Sequence, residues 1–147
     1  MQALFQGEII QFRIPSDPKY VAMVRRAVQS IARSLGFSEA VAWDIELSVA
    51  EALANAVEHG SPEHSRNAVI VVCRVEEDKL TVDVRDEGPG FEPLGSPKQF
   101  ESMHERGRGL RLIYRLMDRV NVRRTRKGSR IRMVKQKQSP KHTKATQ

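Results

Sequence analysis

The sequence lacks most of the features that would place a chain outside the cell or in a membrane. It has one cysteine, Cys73, so no internal disulfide can form. No apolar run approaches the ~20 residues needed to span a bilayer. The opening stretch, MQALFQGEII, shows no basic region followed by an apolar one, so a secretory leader is not expected. Together these absences point to a cytoplasmic protein with no membrane attachment. Cys73 itself sits in the apolar run AVIVVCRV, where a buried, inert thiol is the expected state and a nucleophile is not.

A further absence is local. Residues 119–147 hold 11 Lys/Arg, no acidic residue and no aromatic one. Residues 1–118 hold 14 Lys/Arg against 18 Asp/Glu, so the net charge of +7 averages a mildly acidic body and a strongly basic end. Such an end can meet nucleic acid, an anionic surface or an acidic partner. Without aromatic side chains for stacking or a recognition helix, direct nucleic-acid binding is not expected. An acidic patch on a protein partner fits better, and for the last residues a solvated, frayed tail fits equally well.

What is present fits one domain over residues 1–136 with a basic, disordered tail over 137–147. The segment GEIIQFRIP predicts a first strand near 8–14, stopped by Pro15. Ser16 or Asp17 then caps a helix with Pro18 in its first turn. Val21, Val24, Val28, Ile31 and Leu35 recur at helical spacing up to Gly36. A second helix starts after Ser38 and stops at Gly60. AVIVVCRVEEDKLTVDVRDEG reads as a β-hairpin turning at Glu76–Asp78. About twenty residues rich in Gly and Pro follow, a length of loop that is usually functional. A helix over about 107–118 presents Leu110, Ile113, Tyr114 and Met117 on one face. Strands near 119–125 and 129–135, joined by a Lys127–Gly128 turn, complete the domain. The fold class is α+β: a two-layer α/β sandwich with a mixed, mostly antiparallel sheet and the helices on one face.

Three short stretches could carry chemistry. In ELSVAEALANAVEHG, Glu51, Asn55 and His59 fall within about 80° of one another at ~100° per residue. They flank the apolar arc of Ile45, Val49, Ala52, Leu53 and Ala56, beside the small Ala50 and Ala54. Taken alone, the row reads as a wet helix face. In DVRDEGPGF, Asp86 ends a strand, and Gly88 and Gly90 let the backbone come close to a ligand. A carboxylate there can accept a hydrogen bond from an exocyclic amino group, although a plain turn explains a lone D-x-G-x-G more often than not. In ERGRGL, Arg106, Gly107, Arg108, Gly109 and Leu110 stand where loop becomes helix, a place suited to phosphate.

In this order and in one domain, the three stretches resemble the GHKL ATP-binding superfamily, which includes gyrase B-type ATPases and histidine kinase catalytic domains. More narrowly, the chain is similar to the anti-sigma factor serine kinases (RsbW-like). The resemblance covers about residues 8–135. It comprises EALANAVEHG as N box, DEGPGF and RGRGL as glycine boxes, and KGSRIRM as a closing strand. It implies a Bergerat-type ATP-binding fold and the cofactors ATP and Mg²⁺. Asn55 would offer an amide oxygen to Mg²⁺, a hard cation, and Glu51 would be the general base. Asp86 would bind the adenine amino group, with Gly88 and Gly90 close to the nucleotide. Gly107, Arg108, Gly109 and Leu110 would border the phosphates, and Arg106 would neutralise charge on the γ-phosphate. His59 matches the end of the N box, where helix capping is expected of it. Arg111 departs from the pattern, since many relatives have a small residue there.

The family resemblance also implies partners: a sigma factor held inactive, a STAS-type anti-anti-sigma factor phosphorylated on serine, and a second copy of the chain in a homodimer. The alternative function is a nucleotide-binding switch that sequesters a protein without transferring phosphate.

Overall fold

A computed structural model describes residues 7–59, 61, 63, 66–86, 109–125 and 128–137. Strand β1 runs over Ile9–Pro15, followed by a short 3₁₀ turn, Pro18–Tyr20, and helix α1, Val21–Ser34. Helix α2 spans Glu39–His59, and the hairpin of β2, Ala68–Val75, and β3, Lys79–Asp86, comes next. Helix α3 covers residues 109–116. Strands β4, Arg119–Thr125, and β5, Gly128–Gln136, complete the described chain. The five strands form one sheet in the order β1-β2-β3-β5-β4. The expected mixed sheet is antiparallel at every one of its pairings.

Local chemistry sets the boundaries. Pro15 can end β1 within the ladder because β1 is an edge strand with one neighbour. Asp17 caps the 3₁₀ turn by accepting from the Lys19 N–H at 3.0 Å. Ser16 is used differently: its hydroxyl donates to Ser61, which donates on to the Ala56 carbonyl, so β1 is tied to the end of α2. At the end of α1, Phe37 N–H bonds Ala32 O and Gly36 N–H bonds Arg33 O, a Schellman closure with Gly36 at φ +91°. Ser38 caps α2 by accepting from Val41 N–H. Gly60, expected as the stop of α2, and residues 138–147 of the basic tail lie outside the described residues; Lys137 is described, and its N–H bonds Asp78 O.

Alternation in the strands gives the sheet two unlike faces. Val69, Val71, Cys73 and Val75 on β2, Leu80, Val82 and Val84 on β3, and Ile131 and Met133 on β5 are buried beneath the helices. The α2 face of Ile45, Val49, Ala52, Leu53 and Ala56 lies on them, as its periodicity predicts, and α1 packs beside α2. Truncating a fully buried side chain such as Leu53 to alanine costs roughly 2–5 kcal/mol. The opposite face carries mainly charged side chains.

Three expectations are corrected. Tyr114 does not join the buried face of α3: it is 56% exposed, while Ile113 and Met117 are buried. The helix also ends sooner than predicted, because Asp118 N–H bonds Val134 O and draws the chain into the sheet. Gly128 is the first residue of β5 and pairs with Thr125, so it belongs to the ladder and not to a turn; Lys127 lies outside the described residues.

Candidate active site

Helix α2 carries Glu51 and Asn55 one turn apart on the flank of its buried face, both half-buried. The start of α3 comes directly against them. A Cβ on Gly109 would stand 2.8 Å from Glu51 Oε2 and 3.7 Å from Asn55 Nδ2. A side chain at that position would push the Glu51 carboxylate aside. The Glu51 carboxylate thus sits against the first described turn of α3.

The floor of the site is the other end of the sheet. Asp86, the last residue of β3, is 8% exposed. Ser129 on β5 donates its N–H to Asp86 Oδ1 at 3.0 Å and its hydroxyl to Asp86 Oδ2. Gly128 makes this possible. A Cβ there would overlap the Asp86 carbonyl oxygen, and its φ of +140° is open to glycine. Asp86, Ser129, Asn55, Leu110 and Val122 line one narrow cavity of about 20 Å³ between α2, α3 and the sheet.

Five of the predicted site residues are therefore brought together. Glu51, Asn55 and Gly109 meet at the helix junction, and Asn55, Leu110 and Asp86 line the cavity beside it. Gly88, Gly90, Arg106, Gly107 and Arg108 lie outside the described residues. His59 is in the last turn of α2, with its Nε2 3.6 Å from Glu58 Oε2. Arg111, the departure from the family pattern, is exposed.

Sequence reasoning missed Ser129 and the meaning of Gly128. The signal was present in KGSRIRM, where a glycine and a hydroxyl residue open the final strand. A glycine after a basic residue reads as a hairpin turn, and that ordinary reading hid a backbone contact 42 positions away in the chain. Arg124, opposite Ser129 on β4, also lines the cavity and was not singled out.

As to a metal, no group of three or more His, Cys, Asp or Glu that could hold an ion occurs among the described residues. The oxygens available are those of Asn55 and Glu51. This suits a Mg²⁺ ion held by a single protein oxygen and mainly by phosphate and water, and it does not suit an all-protein metal cage.

Comparison with known proteins agrees with this arrangement. Residues 14–135 match the histidine kinase-like ATPase domain family. The serine-protein kinase RsbW of Bacillus subtilis is 31% identical over 125 residues, covering 79% of this chain and 78% of that protein. RsbW of Listeria monocytogenes is 33% identical over 122 residues, 77% of this chain and 78% of that protein. Among solved structures, a Mycobacterium tuberculosis chain with RsbU and RsbW domains superposes with a TM-score of 0.67 at 16% identity, covering 87% of this chain and 31% of that one. The histidine kinase domain of the Erythrobacter litoralis blue-light activated kinase gives a TM-score of 0.53 at 22% identity, covering 90% of this chain and 68% of that one; both likenesses concern the fold. The chain belongs to the histidine kinase-like ATPase domain family, among its serine-protein kinase RsbW members.

Proposed function

We propose that this protein is an ATP-dependent serine kinase that holds a sigma factor inactive and phosphorylates a STAS-type anti-anti-sigma factor on serine. The observation that carries the reading is the meeting of Glu51, Asn55 and Gly109 at the head of α3, beside a cavity floored by Asp86. The Asp86 carboxylate, held in place by Ser129, is the acceptor that reads the adenine amino group. The cavity as it stands admits about one water molecule, so seating a base requires Leu110 and α3 to move outward. Asn55 would hold Mg²⁺ through its amide oxygen, and the ion would supply positive charge to the phosphates. Glu51 accepts the proton of the attacking serine hydroxyl as that oxygen bonds to the γ-phosphorus and the bond from that phosphorus to the β,γ-bridging oxygen breaks, with ADP as leaving group. Gly107, Arg108 and Gly109 border the phosphates, Gly88 and Gly90 give the nucleotide close access, and Arg106 offsets charge in the transition state.

The reading includes a single kinase domain over residues 1–136, a homodimer, and work in the bacterial cytoplasm. No described helix is long and apolar enough to cross a membrane. The test is transfer of γ-phosphate from labelled ATP to a candidate STAS protein. Replacing Glu51 with alanine is expected to cut the transfer rate by roughly 10²–10⁴-fold while nucleotide binding persists. An unchanged rate would remove Glu51 from the chemistry. A wild type that binds ATP and transfers nothing would leave a pure sequestering switch.

A further inference from the structure

The sheet face turned away from the helices carries a line of arginines that the nucleotide site does not use. The pairing register puts Arg130 of β5 directly opposite both Arg85 of β3 and Arg123 of β4. Continued across the sheet, the same row reads Ile70 on β2 and Arg13 on β1, so four of its five positions are arginine. Like charges directly opposite on adjacent strands destabilise a sheet.

Local neutralisation is incomplete. Asp83 is the single acid among the described strand residues of that face. It is already engaged, taking a bidentate pair from Arg132 at 2.8 Å and a bond from Arg85 at 3.2 Å. Among the described residues no carboxylate pairs with Arg123 or Arg130, and Arg130 Nε is buried without a hydrogen-bond partner. Burial first, then the charges of Arg132, Arg123 and Arg85, hold the Arg130 guanidinium below the ordinary arginine range, with Asp83 opposing; it remains a cation at neutral pH. The three arginines border a concavity of about 260 Å³ together with Thr125, Gly128, Ser129 and Asp86, whose carboxylate accepts from Ser129.

We propose that the row Arg85–Arg130–Arg123 is a docking site for an acidic polypeptide segment, whose carboxylates complete the hydrogen bonding of these guanidinium groups. Planar guanidinium forks match carboxylates two bonds at a time. Half-buried Ile70, Val72 and Val134 lie on the same face and offer apolar contact between the charges, a mixture typical of protein interfaces, where arginine is enriched. Nucleic acid fits less well, because among the described residues no aromatic side chain stands on this face for a base to stack on.

The test uses the full chain and a glutamate-rich peptide in titration calorimetry, with a single-stranded oligonucleotide of equal charge and inorganic phosphate as parallel probes. The wild type is expected to bind the peptide, with affinity falling as salt rises from ~0.05 to ~0.2 M. The double variant R123Q/R130Q is expected to bind it about tenfold or more weakly, while melting at a higher temperature in low salt because the repulsion is relieved. A control of the same charge change in the tail, K141Q/K144Q, is expected to have the smaller effect. The proposal is overturned if no peptide binds, if the oligonucleotide or phosphate binds more tightly than the peptide, or if the tail control loses as much affinity. It is also overturned if R123Q/R130Q loses binding together with thermal stability, since the loss would then report damage to the sheet.

Discussion

Ser129 holds the carboxylate of Asp86 by both its backbone N–H and its hydroxyl, across 43 positions of sequence. The buried acid is thereby aimed into the cavity instead of swinging toward water. Ser129→Ala removes one donor and keeps the other. ATP affinity is expected to fall about tenfold or more, and the melting temperature to fall as well, since a hydrogen bond to a buried charged group contributes roughly 1.5–3 kcal/mol. Gly128→Ala acts on the same pair more harshly: its Cβ meets the Asp86 backbone, which cannot step aside, and its φ disfavours a side chain. A loss of about 2 kcal/mol or more in denaturant unfolding is expected.

Gly109→Ala separates stability from activity. Gly109 is helical, and alanine is favoured over glycine in a helix by ~1 kcal/mol. Its new Cβ would meet the end of the flexible Glu51 side chain, which can yield. The variant is therefore expected to melt no lower than wild type, yet transfer phosphate at least about tenfold more slowly because its base is displaced. Calorimetry and a transfer assay on one preparation check both halves. A slower variant that also melts lower would mean that the helix junction itself is damaged.

The sequence revealed the elements and the α2 half of the site because both are written in local periodicity. The apolar arc of Ile45, Val49 and Leu53 points to the sheet, and helical spacing alone then puts Glu51 and Asn55 on the flank of the core. Strand alternation likewise separated Leu80, Val82 and Val84 from Thr81 and Asp83. What could not be read were the contacts fixed by strand order. That β5 lies between β3 and β4 is a fact of topology, and it alone brings Ser129 to Asp86 and Arg130 between Arg85 and Arg123. Tyr114 was misplaced for a related reason: a residue at the margin of a helical stripe is buried only if a neighbour covers it, and among the described residues none does.

Asp83 makes stability depend on acid. Burial alone would raise the pKa of its carboxyl, but the hydrogen bonds from Arg132 and Arg85, aided by their charges, bring it below the usual aspartate value. Since the folded pKa is depressed, this contribution is fully present above the unfolded value of about 3.9 and is lost as pH falls through the folded one. Asp83→Asn is expected to lower stability at neutral pH by about 1–2 kcal/mol, discounted for the partial exposure of Arg132. Its urea unfolding should also respond less to pH below about 4 than that of wild type. Parallel pH profiles of the two proteins would contradict the assignment.

Cys73 offers a measure of global opening. Its thiol is fully buried on β2 under the helices, and burial first, with the charge of Asp83 second, pushes its pKa up to about 12. Thiolate is the reactive form, so at neutral pH the folded protein is expected not to react with a thiol reagent except through unfolding. The sign follows from the raised value. The fold favours the neutral thiol, so this contribution is complete below the unfolded pKa of about 8.5 and is lost as pH rises toward the folded one. Labelling rates across a urea series should therefore track the unfolding seen by circular dichroism. Rapid labelling in the absence of urea would show that β2 opens locally, and the core beneath α2 would then be less cooperative than its packing indicates.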